Sequence, residues 1–133
     1  MFGLRLRRFE DNTRKVKKKA QDATFRNLGH AGAAVRLTAK RSIRYRKRKK
    51  ASPVGNPPFT HTKRLPRAIV YAVDKWKTTV VVGPSASLVG PAGLPHEHGG
   101  RFRGQRYRAR PFMKPALRKN LKRLPRFWKS SVK

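Results

Sequence analysis

Side chains able to do acid–base or metal chemistry stand together in one place, His96-Glu97-His98. A catalytic reading needs converging groups with tuned protonation. A zinc reading needs the spacing of an HExxH helix or thiolate help, and the chain has neither that spacing nor a cysteine. Glu97 is therefore expected to serve as a buried or interfacial counter-charge for an arginine. No phosphate-cradling loop is expected either: "VVVGPSAS" (80–87) follows a strand pattern but lacks the lysine and the following helix. No Ser–His–acid set can be inferred from order or spacing. The expectation is a protein that is not an enzyme, with no cofactor and no metal.

Anion binding is the stronger chemistry. "RFRGQRYRAR" (101–110) interleaves arginines with Phe102 and Tyr107. If extended, Arg106, Arg108 and Arg110 share a face. Guanidinium forks suit phosphates, and aromatics stack on exposed bases. The same stretch also reads as a solvated basic edge strand that discourages sheet-to-sheet pairing, and the sequence leaves both readings open. "RYRKRKK" (44–50), with Arg46, Lys47, Arg48, Lys49 and Lys50, reads as a solvated helix end as readily as a contact surface. Arg101, Arg103, Arg106, Arg108 and the 46–50 run are the candidate contacts for DNA or another anionic partner. No RNP motif, zinc finger or helix-turn-helix is visible, so sequence-specific recognition is not expected.

The whole composition points the same way. The 133 residues carry 36 Lys and Arg against five acids, a formal charge of +31, with 37% hydrophobic residues. Such a chain repels itself unless something neutralises it, which implies a polyanionic partner. The charge is not a tail, since residues 1–50 and 51–133 carry 18 cations each. No run approaches the ~20 apolar residues of a spanning helix, so no membrane partner is expected. "MFGLRLRRFE" lacks the apolar centre of a secretory signal.

These residues must be positioned by few elements, and the pattern predicts an α+β chain. It has a long N-terminal helix, a small, mainly antiparallel sheet and a short C-terminal helix. Residues 1–50 form a basic N-terminal segment and residues 51–133 an α+β core with a tail, one domain overall. Residues 1–11 read as a loose or partner-ordered start. A cap near Asn12–Thr13 opens a helix to about Tyr45 with Val16, Ala20, Ala23, Leu28, Ala31, Val35, Ala39 and Ile43 at helical spacing. Gly29 and Gly32 weaken it or permit a close crossing. Residues 51–66, with four prolines among them, read as irregular connection. Residues 67–73 and 78–83 read as strands joined by a hairpin at 74–77. Residues 84–95 read as a loop, and 96–107 as holding a short third strand. From Pro111 a helix runs to about Leu124, with Phe112, Ala116, Leu117, Leu121 and Leu124 near one face and Pro115 in its first turn. Arg110–Pro111 aims this helix back onto the sheet, with Phe112 and Leu117 buried. Phe127 and Trp128 anchor the tail.

The ordered landmarks "SPVGNPPFTHTKRLPRAIVYAV", "TVVVGP", "LPHEHGG" and "ARPFMKPALRKNLKRLPRFWKSSV" resemble a family. It is that of the neck or tail-completion proteins of tailed double-stranded-DNA bacteriophages, described as minor tail components or virion morphogenesis proteins. The resemblance covers about residues 50–132. It rests on Pro53, Gly55, Pro57, Pro58, Thr62, Leu65, Ile69, Val80–Gly83, Glu97, Gly99 and the Ala109-Arg110-Pro111-Phe112-x-x-Pro115-Ala116 helix start. Lys63 departs from it, standing where the family has glycine; either the turn differs or the lysine takes a positive φ at a cost. The resemblance implies a structural subunit of the virion neck at the top of the tail, assembled in the host cytoplasm. Its implied partners are further copies in a sixfold or twelvefold ring, neighbouring neck, portal-adaptor or tail-tube proteins, and genomic double-stranded DNA in the channel. The alternative is a basic nucleic-acid-binding protein without enzymatic activity.

Overall fold

The computed structural model describes residues 10–131, and the loose start expected over 1–11 lies outside them as far as residue 9. Helix α1 spans Thr13–Ser42. Asn12 occupies the cap position but makes no side-chain cap bond. The neighbouring Asp11 does that work, its Oδ1 accepting the Thr13 N–H at 2.9 Å. The buried stripe of α1 recurs every four residues: Ala23, Asn27, Ala31, Val35, Ala39 and, just past the helix, Ile43. A four-residue repeat drifts by about 40° per step on a helix of 3.6 residues per turn, so α1 offers successive partners along its length. Val16, expected on this stripe, is 56% exposed.

The helix stops at Ser42, short of the expected Tyr45. Ile43 turns extended (φ −89°, ψ 104°) while its side chain enters the core. The backbone beyond it is taken by Thr60, which accepts the Arg46 N–H at 3.0 Å and donates its own N–H to Arg44 O at 2.9 Å. The cationic run 44–50 is thus not a helix end. The connection expected over 51–66 holds a turn of helix, α2 (Arg64–Ala68), entered through Lys63 at φ 58°. Lysine therefore does take the left-handed geometry.

Strands β1 (Ile69–Asp74) and β2 (Thr79–Pro84) pair antiparallel from Ile69↔Pro84 to Asp74↔Thr79. Asp74 Oδ1 closes the hairpin by accepting the N–H groups of Trp76 (2.9 Å) and Lys77 (3.1 Å). The sheet lies on α1 at Gly32, where an added Cβ would stand 2.7 Å from Val80 Cγ2 and 2.8 Å from the Tyr71 ring. Of the two glycines in the helix, Gly32 makes the close crossing; Gly29 meets nothing within 4 Å.

The expected loop 84–95 is mostly helical: α3 (Ala86–Val89), a 3-10 turn at Gly90–Ala92, and α4 (Gly93–His98). Gly93 lets this coil close on the sheet, since a Cβ there would lie 2.5 Å from Pro84 Cγ. A second hairpin follows, β3 (Gly100–Phe102) and β4 (Gln105–Tyr107), giving two strands where one was expected. Its turn uses Arg103 and Gly104, both at positive φ.

Helix α5 spans Met113–Asn120 and ends before the expected Leu124; Leu124–Phe127 form a 3-10 turn. It packs on α1 rather than onto the sheet. Its buried face is Phe112, Ala116, Asn120, again every fourth residue, while Leu117 and Leu121 are exposed, one residue further round the helix. Asn120 fits there because its amide donates to Thr38 Oγ1 (2.9 Å) and Ala116 O (2.8 Å). Val35, Ala39, Ile43, Ile69, Phe112 and Ala116 form the core, flanked by Leu65, Val82, Met113 and Leu124. The fold is α+β, and among the described residues no helix is long and apolar enough to cross a membrane.

Candidate polyanion interface

The residues singled out from the sequence fall into two groups, one internal and one on the surface. The internal group forms a joint around the start of α5. Glu97, on the last turn of α4, accepts three backbone N–H groups: Phe112 (2.9 Å) and Met113 (3.0 Å) on Oε2, Lys114 (2.8 Å) on Oε1. The fourth donor that a helix start normally leaves unpaired does not exist, because Pro115 has no N–H. Glu97 is thus a backbone cap, and among the described residues no arginine is shown paired with it. Its two oxygens are occupied by three amides at the positive end of the helix, where a carboxylate is favoured.

Around this cap the other motif residues lock together. Gly99 (φ 75°) ends α4 where a Cβ would meet Ala109 N at 3.1 Å and Tyr107 O at 3.2 Å. The Gly55 N–H donates to Ala109 O at 3.0 Å, and the Arg110 N–H to His96 O at 2.6 Å. Arg110 Nε donates to Ser52 O at 2.8 Å, so this side chain leaves the face it was expected to share with Arg106 and Arg108. Pro58 is fully buried and Pro57 half-buried, while Pro53 is exposed. His96 sits against the Tyr107 ring, with burial and the Arg110 charge pushing its pKa below the ordinary imidazole value. Its Nδ1 is buried without a hydrogen-bond partner. Among the described residues no three His, Asp or Glu side chains stand together as a metal site requires.

The surface group is cationic. Asp11, Asp74 and Glu97, three of the five acids, hold backbone amides, which leaves little negative charge to answer the 36 cations. On the second hairpin, Arg101 and Arg106 are direct cross-strand partners, a like-charge pairing that destabilises an isolated ribbon. Phe102 and Tyr107 lie on its other side, in edge-on contact at 6.3 Å. Arg103 folds back over the Phe102 ring at 5.3 Å, and Arg108 is exposed.

A second cationic array centres on Phe59. Two open clefts of about 650 and 670 Å³ meet at Phe59 and Pro53. Arg41, Arg44 and Lys119 line the first; Arg46, Lys47, Arg48 and Lys50 line the second. Neither lining contains a carboxylate. The Arg46 guanidinium lies over the Phe59 ring at 5.3 Å. Four of these cations belong to the 46–50 run; Lys49 is exposed but lines neither cleft. Arg41, Phe59 and Lys119 had no signal of their own, because three separate stretches of sequence meet here. By contrast Thr78–Gly100, which holds β2, α3 and α4, contains no Lys or Arg at all.

What the two arrays offer chemically is repeated cationic groups suited to repeated anionic ones. Comparison of the chain with models of known protein families, with curated proteins and with solved structures finds no match.

Proposed function

We propose that this protein is a structural subunit of the head–tail connector of a tailed bacteriophage. In this reading it joins a ring that completes the tail or couples it to the portal complex, with its cationic faces set against DNA in the channel or acidic neighbouring subunits. The observation that carries the reading is the joint at α5. The residues behind the resemblance are spread over 53–116, yet Gly55, Glu97, Gly99, Arg110, Phe112 and Pro115 all serve one connection. Their shared role is to fix the angle of the last helix, which is what a part that works by shape requires. A ring needs two different faces on each copy, meeting head to tail.

The test is an image reconstruction of the neck of the particle whose genome encodes this chain, with mass spectrometry of the purified particles. Stoichiometric copies in a ring between portal and tail tube support the reading, and absence from mature particles overturns it. The second reading, a basic nucleic-acid-binding protein with no place in the virion, is favoured by the carboxylate-free clefts beside Phe59. It requires the protein to be missing from particles and bound to nucleic acid in infected cells.

A further inference from the structure

We infer that the paired clefts at Phe59 form a binding site for a nucleic-acid strand, which crosses the Phe59 ridge with its phosphodiester backbone held on both sides. The ridge is fixed before any ligand arrives. Pro58 is fully buried, Thr60 is 6% exposed, and Thr60 is tied by two backbone hydrogen bonds to Arg44 and Arg46. Tyr45 makes an isolated bridge with Thr60, and in such a strand-like pairing residues two apart, here Arg44 and Arg46, fall on one side with backbones about 6.6–6.8 Å apart. Tyr45 faces away and takes the Lys63 ammonium over its ring at 4.8 Å. Arg44 lines one cleft and Arg46 the other, Phe59 belongs to both linings, and the Arg46 guanidinium lies over its ring.

Each cleft then extends the cationic track away from the ridge, through Arg41 and Lys119 on one side and Arg48 and Lys50 on the other. A track lined by one sign of charge, with an aromatic ring at its centre, suits a ligand with one negative charge at every repeat and a flat group between repeats. An acidic peptide offers the charge but not a flat group at each repeat. The clefts are built from α1, the 44–60 connection and α5, so they are complete in a single copy. The claim is therefore independent of the virion reading, and the two fail separately.

The experiment uses the full chain and fluorescently labelled 20-nucleotide oligothymidine, a 20-base-pair duplex and poly-glutamate, read by anisotropy across a salt series. One variant, Arg44→Ala/Arg46→Ala/Lys119→Ala, removes three exposed cleft cations. A charge-matched variant, Lys15→Ala/Lys17→Ala/Lys18→Ala, removes three exposed cations from the start of α1. Thermal melts establish that both retain the fold.

The expected result is that the cleft variant weakens nucleic-acid binding at least tenfold more than the matched variant. Its log K against log salt slope should flatten by about 2–3, as three lost phosphate contacts require. Arg44→Lys/Arg46→Lys should keep the slope. Tighter binding of oligothymidine than duplex assigns the ring to an unstacked base, and equal binding assigns the site to the backbone alone; both support it. Equal losses in the two triple variants would reduce the site to diffuse charge and overturn it. So would poly-glutamate binding as tightly as oligothymidine with the same sensitivity to the cleft variant.

Discussion

Glu97 Oε2 accepts the backbone N–H of Phe112 at 2.9 Å, and that one carboxylate goes on to cap two more amides of the same helix. Glu97→Ala leaves three donors without their partner at the point where Phe112 enters the core. The expected loss is about 2–3 kcal/mol in urea unfolding, with Glu97→Gln recovering about half. If Glu97 were instead paired with a cation, high salt would reproduce the loss in the wild-type protein; the prediction is that it does not.

Gly32 and Gly29 lie one turn apart in α1 and respond in opposite directions. Gly32→Ala forces a methyl against Val80 and Tyr71 and should cost about 1–3 kcal/mol. Gly29→Ala meets nothing within 4 Å and should gain up to about 1 kcal/mol from helix propensity. Thermal melts of the two single variants check the sign of each.

Lys63 sits at φ 58° and spends a left-handed conformation that a side chain tolerates poorly. Lys63→Ala keeps that strain and loses the ammonium contact with Tyr45. Lys63→Gly loses the same contact but relieves the strain. The glycine variant should be the more stable of the two by about 1 kcal/mol in chemical unfolding.

His96 gives the fold a pH dependence of definite sign. Burial and the Arg110 charge lower its folded pKa below the ordinary 6.5, so the folded state holds the neutral ring. Its contribution is fully present above about pH 6.5 and is lost as pH falls below that value, because the unfolded chain then takes up the proton first. The urea midpoint should drop from about pH 7 to about pH 5 in the wild type, and less so in His96→Gln.

The elements readable from the sequence are those whose signal is local. β1 and β2 announce themselves through Val and Ile runs, and the start of α5 through Arg110-Pro111-Phe112. The misread face of α5 has a specific cause: Leu117 and Leu121 outweigh Ala116 and Asn120 in hydrophobicity, yet Phe112 had already fixed which way the helix faces. The four-residue step from an anchored aromatic decides burial, and an amide that finds Thr38 is accepted there. Residues 84–95 read as loop in the sequence, but short helical turns tolerate Pro and Gly at their ends. Neither the role of Glu97 nor the clefts at Phe59 had a local signature. The first needs a carboxylate brought to amides fifteen residues on, and the second needs Lys119 beside Arg44.

The core that Val35 and Ala39 share with Phe112 and Ala116 has a consequence for how the chain is made. About 70 residues separate Ala39 from Phe112, which at ~5–20 residues per second is about 4–15 s of synthesis. Through that interval Val35 and Ala39 lack the Phe112 and Ala116 side chains that complete their core. β1 and β2 can cover α1 at Gly32 before then, but Val35 and Ala39 gain Phe112 and Ala116 only with the last thirty residues. The final quarter of the message is what closes the fold, so a chain truncated before α5 should never reach a packed state.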